Sequence, residues 1–171
     1  MDIRLRQYKA SDAQTIVSWI KDEETLRKWS IDRFKDFPIT SEDINNKYLN
    51  LNGDCEENDN FYPFVAFDDD GVVGHLILRY VNKDKKVIRF GFVIVDSSKR
   101  GQGLGKKMLN LAIKYAFDIY GADKITIGVL ENNESAYRCY KSVGFKEIMT
   151  VSTCELFGKQ ERIIELEMNK Q

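Results

Sequence analysis

Apolar and polar positions along the chain follow two periods, and the switches between them mark out the elements. Ile3 to Tyr8 alternates every second residue, which predicts a first strand. Ser11 or Asp12 is placed to cap a helix carrying Ile16, Val17, Trp19 and Ile20. A short second helix is predicted from Glu23 towards Trp29, and Pro38 then breaks the chain. Thr40-Ser41-Glu42-Asp43 has the form of a capping box ahead of a third helix with Ile44, Tyr48 and Leu49. Asn50 to Asn60 is polar and acidic and reads as a loop.

Three strands follow, Phe61 to Phe67, Val72 to Val81 and Val87 to Val95, separated by the turn signals Asp68-Asp69-Asp70-Gly71 and Asn82 to Lys86. They predict an antiparallel meander. After a loop at Asp96 to Gln102 the period returns to 3.6, with Leu104, Met108, Leu111, Ala112, Tyr115 and Ala116 on one helical face and Gly121 as its stop. Lys124 to Leu130 reads as a strand and Asn133 to Ser142 as a short helix ended by Gly144. Phe145 to Leu156 and Glu161 to Met168 read as two closing strands. With no internal repeat and no linker, residues 1–171 are expected to form one mixed α/β (α+β) domain: about seven mostly antiparallel strands flanked by four to five helices.

Composition narrows the partners. The 171 residues are 43% hydrophobic and 31% charged, with a formal net charge of −1, which leaves no basic footprint for nucleic acid. No apolar run approaches the ~20 residues of a membrane span, and the opening Met1-Asp2-Ile3-Arg4-Leu5-Arg6 lacks a secretory apolar stretch. A cytoplasmic protein with no membrane partner is therefore expected. Three scattered cysteines (Cys55, Cys139, Cys154) and a single histidine, His75, predict neither a metal site nor a disulfide framework.

Candidate chemistry concentrates in the last two thirds of the chain. Ser98-Lys99-Arg100-Gly101-Gln102-Gly103-Leu104-Gly105-Lys106 joins a strand to a helix. Its glycines permit positive φ and close backbone approach, and the helix start offers N–H groups to a pyrophosphate. Lys99, Arg100, Lys106 and Lys107 surround it with positive charge. The P-loop pattern fails, because Arg100 stands where its first glycine belongs and Lys107 where Ser or Thr belongs. The dinucleotide pattern fails because the third glycine, Gly105, comes one residue early. On these residues alone, a phosphate site and a plain glycine-rich turn both remain open.

A second motif, Val129-Leu130-Glu131-Asn132-Asn133-Glu134-Ser135-Ala136-Tyr137-Arg138-Cys139-Tyr140-Lys141-Ser142-Val143-Gly144-Phe145, follows one helix later. With Arg100-x-x-Gly103-x-Gly105 it resembles the Gcn5-related N-acetyltransferase (GNAT) superfamily, nearest to the bacterial ribosomal-protein-alanine and small-molecule acetyltransferases. The resemblance is specific from about Val87 to Phe145. It implies acetyl-CoA as cosubstrate, held in a splay where the strand ending at Val95 parts from the strand at Ile125–Val129. It also implies that the backbone of Val93, Ile94 and Val95 binds the pantetheine arm. Arg100, Gly101, Gln102, Gly103, Leu104, Gly105 and Lys106 would wrap the pyrophosphate. Asn133 would contact the cofactor near its pantetheine or adenosine portion. Tyr140 would protonate the leaving thiolate, and a backbone N–H near Val93 would stabilise the oxyanion. The seven-residue step from Asn133 to Tyr140 is about two helical turns and puts both on one side.

The implied function is transfer of an acetyl group to a primary amine, a protein N-terminal α-amine or a small molecule, by direct attack in a ternary complex. Polyamine or aminoglycoside acetylation and a non-catalytic acetyl-CoA sensor are the alternatives, and a monomer or homodimer is expected, the latter through pairing of the two C-terminal strands. The glutamate positions used by many relatives as general base hold Arg89 and Gly128 here. Deprotonation through water is the expectation, aided by carboxylates of the Asp54–Asp59 loop, with Glu131 near in sequence. The missing base favours an α-amine, whose pKa lies near 8 against ~10.4 for lysine. His75 reads as structural, Cys139 as a small buried residue with no activating histidine nearby, and Trp19, Trp29, Phe34 and Phe37 as core or acceptor-pocket lining.

Overall fold

The computed structural model describes residues 2–171. Its elements run β1 (Arg4–Gln7), α1 (Ala13–Ser18), α2 (Glu23–Ser30), α3 (Ser41–Asn45), β2 (Tyr62–Asp68), β3 (Gly71–Tyr80), β4 (Val87–Val95), α4 (Leu104–Lys114), β5 (Lys124–Leu130), α5 (Glu134–Ser142), β6 (Lys146–Leu156) and β7 (Lys159–Asn169). The strands form one seven-stranded sheet in the order β1-β2-β3-β4-β5-β7-β6. Every neighbouring pair is antiparallel except β4 and β5, which are parallel. The bounds of β4 and β5 coincide with those read from the sequence, since both are apolar runs closed by turn signals.

Local sequence explains most ends. Asp22 caps α2 by accepting from Thr25 N at 2.7 Å. Thr40 and Asp43 form the expected box at α3, with Asp43 N donating to Thr40 Oγ1 (3.2 Å) and Thr40 N to Asp43 Oδ2 (2.8 Å). The first helix starts differently. A 3-10 turn at Ala10–Asp12 precedes α1, and Asp12 sits one turn in, accepting from Lys9 N (2.8 Å) and from the Arg6 guanidinium (2.8 Å to each oxygen). Neither Ser11 nor Asp12 therefore serves as the side-chain cap. Leu49, expected on an apolar face, is 58% exposed because a π turn at Asn46–Asn50 rotates it outward behind buried Tyr48. The last hairpin is longer than expected: Leu156 pairs with Lys159 across Phe157-Gly158, both at positive φ, the signature of a two-residue turn. The two C-terminal strands pair with each other within this sheet, leaving β6 as its edge.

The sheet is covered on both faces. On one face Phe90, Ile88, Ile125, Ile127 and Leu166 pack against Leu104, Met108, Leu109 and Ala112 of α4, with Tyr140 and Phe145 beside them. On the other, Val65, Ile77 and Ile94 pack against Ile16, Leu26, Trp29 and Ile44 of α1, α2 and α3. Among the described residues no helix is long and apolar enough to cross a membrane.

Candidate active site

The parallel pairing of β4 and β5 lasts only from Val87↔Lys124 to Phe90↔Ile127. Beyond it β4 continues beside β3 while β5 continues beside β7, so the two strands part where the resemblance places the splay. A cleft of about 260 Å³ occupies the gap. Its walls come from both faces: Phe90, Val93, Val129 and Tyr140 from one, Trp29, Arg33, Arg79 and Gly91 from the other. The cleft thus reaches through the sheet.

A bulge shapes the β4 side. Gly91 faces Ile77 and Ile94 faces His75, so Phe92 and Val93 together oppose Leu76, and Phe92 takes φ 49°. The Phe92 carbonyl is held by Trp29 Nε1 at 2.8 Å, which ties α2 to the bulge. Trp29 also stacks on Phe34 (5.7 Å) and tilts against Phe92 (5.2 Å). Of the aromatic residues near Pro38, Trp29 is the one that reaches the cleft, whereas Trp19 and Phe34 are buried in the helix layer. Beyond the bulge the side chains diverge. Val93 and Val95 turn to the α4 face and Ile94 to the α2 face, and their backbone borders the gap.

The glycine-rich loop follows β4. Asp96 first accepts from Ser98 N (2.9 Å) in a 3-10 turn over Ser97–Lys99. Gly101 (φ 79°) and Gly103 (φ 73°) then take the left-handed conformation, and Gly103 becomes the N-cap of α4 with no side-chain cap bond. The first N–H groups of α4 accordingly face outward with the positive end of the helix dipole. Arg100, Gln102 and Lys106 are exposed around them. Two residues of the motif play other parts. Leu104 is 2% exposed, its side chain in the core, so only its backbone can meet a ligand. Gly105 lies inside α4, where an added Cβ would stand 3.3 Å from Cys139 Sγ; it permits α4 and α5 to pack closely. Lys99 differs from expectation, being ion-paired to Asp68 at 3.2 Å. Asp68 also accepts from Asp70 N and Gly71 N, so it anchors the loop to the β2–β3 turn.

On α5, Asn133 is the N-cap, its Oδ1 accepting from Ala136 N at 3.4 Å. With Asn132, Ser135, Arg138 and Lys28 it lines a shallow concavity, and Lys28 borders the central cleft too. Tyr140 is 6% exposed and lies edge-on to Phe145 at 6.3 Å. Burial, then the neighbouring Cys139, pushes its phenol well above the ordinary value, so it is a neutral O–H at the cleft wall. Cys139 is half-buried and burial raises its thiol likewise, which suits packing against Gly105 rather than nucleophilic attack.

The positions without glutamate are filled by a pair. Arg89 reaches Glu165 of β7 through two bonds, Nη1 to Oε2 at 2.8 Å and Nη2 to Oε1 at 3.1 Å. Ser152 Oγ also donates to Glu165 (3.0 Å). Gly128, which faces Glu165 in register, leaves room for this, since an added Cβ would stand 2.6 Å from Arg89 Nη2. The acidic loop adjoins the cleft through Gly53 and Phe61, but Asp54 is ion-paired to Lys47 at 2.6 Å, and Glu56, Glu57 and Asp59 are exposed. Glu131 pairs at the surface with Arg162 (3.4 Å). His75 is fully buried, bonded through Nδ1 to the Phe64 carbonyl and through Nε2 to the Tyr48 hydroxyl (2.7 Å each), a structural role as expected. Glu165 and Arg79 are the cleft residues that sequence reasoning passed over. The signal for Arg79 was a charge standing alone after Leu76-Ile77-Leu78, whereas Glu165, one of several charges in β7, gave none.

Known proteins share this fold. The chain is similar over its whole length to a crystal structure of spermidine N-acetyltransferase from Vibrio cholerae in complex with CoA and spermine: TM-score 0.79, 20% identity, covering 98% of this chain and 95% of that one. It is 38% identical over 65 residues to a spermine/spermidine N(1)-acetyltransferase of Bacillus subtilis (strain 168), 38% of this chain and 42% of that protein. It is 29% identical over 94 residues to an N-alpha-acetyltransferase of Sulfurisphaera tokodaii, 50% of this chain and 56% of that protein. The chain thus spans about half the length of the curated relatives it matches. Residues 16–145 match the family model described as Acetyltransferase (GNAT) family, and on that match, three quarters of its length, the chain belongs to the GNAT acetyltransferase family.

Proposed function

We propose that the protein transfers an acetyl group from acetyl-CoA to a primary amine by direct attack in a ternary complex. One observation carries this reading: a single cleft crosses the sheet where β4 and β5 part, with Val93 and Tyr140 on the α4 face and Trp29, Arg33 and Arg79 on the α2 face. Acetyl-CoA supplies the activated acetyl thioester. The residues present fit it. The backbone of residues 101–106, with Arg100 and Lys106, offers N–H groups and positive charge to a pyrophosphate. The freed edge of Val93–Val95 offers backbone groups to an amide-bearing arm, as a strand would. Asn133 borders the same path while capping α5.

Tyr140 supplies the proton for the departing thiolate. Its burial raises the phenol pKa, and the same dry surroundings raise that of the thiolate, so the match between donor and acceptor survives. Cys139 takes no part. The amine loses its proton to water, because Glu165, the carboxylate deepest in the cleft, is committed to Arg89. An α-amine, partly neutral near pH 8, suits such a site.

The test is thiol release from acetyl-CoA with α-amines, polyamines, aminoglycosides and N-terminal peptides. Turnover should fall about 10²-fold in Tyr140→Phe, with acetyl-CoA affinity retained. Tight acetyl-CoA binding with no thiol release on any amine would instead mark a sensor.

A further inference from the structure

The α2 side of the cleft carries an imbalance of charge. Three arginines line it, Arg33, Arg79 and Arg89, and among the described residues only Arg89 has a carboxylate partner, Glu165. Arg79 sits in β3 directly opposite Arg89 of β4, so both point to the same face of the sheet. It is half-buried, and among the described residues nothing hydrogen-bonds or ion-pairs its guanidinium. Burial first, then the charge of Arg89, lowers its pKa; the Cys55 thiol acts in the opposite direction, and Arg33 lowers it further. Arg33 itself is exposed at the mouth, also without an ion pair among the described residues. The acid at this mouth is Asp32, which is exposed; Asp54 of the adjoining loop is turned to Lys47.

A half-dry cation with no partner, beside a second cation, is costly to keep. Local conflicts of this kind are retained where a ligand resolves them. A polyamine would add positive charge to this cleft. An anion would complete it.

We propose that the acceptor amine carries an anionic group, a carboxylate or phosphate, that docks on Arg79 with Arg33 while the amine faces the gap between β4 and β5. This rests on the acetyl-transfer reading and sets the acceptor apart from spermine and spermidine. Guanidinium is the side chain suited to either anion, through paired N–H donors. Arg79 is a specificity residue here and takes no part in the bond exchange.

The test offers each amine in two forms: an α-amino acid and its amide, an aminoalkyl phosphate and its aminoalcohol, with spermidine alongside. The wild type should favour the anionic member by about 10- to 100-fold in kcat/KM, carried mostly by KM. The ratio between the two pairs separates carboxylate from phosphate. Arg79→Gln should erase the preference while leaving KM for acetyl-CoA unchanged, and Arg79→Lys should restore part of it. Ligand-free Arg79→Gln should melt no lower than the wild type, because the cation it removes has no partner. A wild-type preference for spermidine or the neutral amines overturns the proposal, and so does a preference that survives Arg79→Gln. If the wild type acetylates no amine, the transfer reading fails by itself. The anion site is then judged by melting temperature against the same amines. A rise with the anionic members alone, absent in Arg79→Gln, upholds it, and equal shifts in both proteins reject it.

Discussion

The two faces of the sheet are built from different materials. The α4–α5 face is almost wholly apolar, and what it shows a ligand is mostly backbone, with the Tyr140 hydroxyl beside it: the bulged edge of β4, the left-handed glycines, the bare start of α4. The α1–α3 face has aromatic and polar side chains threaded into its core. Tyr48 and His75 are bonded inside it, Trp29 holds the Phe92 carbonyl, and Arg79 and the Arg89–Glu165 pair stand at its border. Backbone geometry suits a constant ligand, and side chains suit one that must be told from its chemical neighbours. The division of materials follows the division of labour proposed for the two halves of the cleft.

Substitutions can break this contrast, the largest effect first. Leu109→Ala, in the fully buried α4 face, should cost about 2–5 kcal/mol in urea unfolding; a loss below 1 kcal/mol would show that this face is less tightly packed than described. On the other face the largest effect is one of pH. Burial pushes the pKa of His75 down to about 4 from the ordinary 6.5, against the hydrogen bond to Phe64 that favours its charged form. The unfolded chain therefore binds the proton first as pH falls. Stability from this residue is constant above pH 6.5, declines between 6.5 and 4, and levels off below, a loss of about 3 kcal/mol in all. His75→Gln should flatten that part of the stability profile, and an unchanged slope would place the titration elsewhere. Trp29→Phe keeps the ring and removes the bond to the Phe92 carbonyl. It should cost about 1 kcal/mol of stability, with a several-fold loss in kcat as the bulge loosens. Equal losses in stability with kcat intact would make Trp29 a packing residue only.

The same contrast explains what could be read in advance. β4 and β5 were legible to the residue because apolar runs and turn signals are local. The glycine-rich loop and the Asn133–Tyr140 helix were legible because spacing along the chain encodes them, and the structure brings Val93 and Tyr140 to one cleft. Arg89 was visible only as a missing glutamate. Its partner Glu165 lies 76 residues away and meets it solely because β7 is laid beside β5. Lys99 read as part of the positive charge around the glycine-rich loop, yet it pairs with Asp68, 31 residues earlier, a contact made across the sheet. Pairings made across strands belong to topology, which spacing along the chain does not encode.

Mechanically, the sheet is two leaves on a short seam. The four residue pairs from Val87↔Lys124 to Phe90↔Ile127 are the ladder that joins β1–β4 to β5–β7–β6. Arg89, inside this seam, adds a side-chain bridge across it to Glu165 of β7. A ligand arm lying along the freed edge of β4 would act as the missing stretch of strand, and its binding energy would count as cohesion between the leaves. At a hundredfold excess over Kd that is worth about 2.7 kcal/mol, so the loaded protein would be the stiffer object, its seam completed by its own cargo.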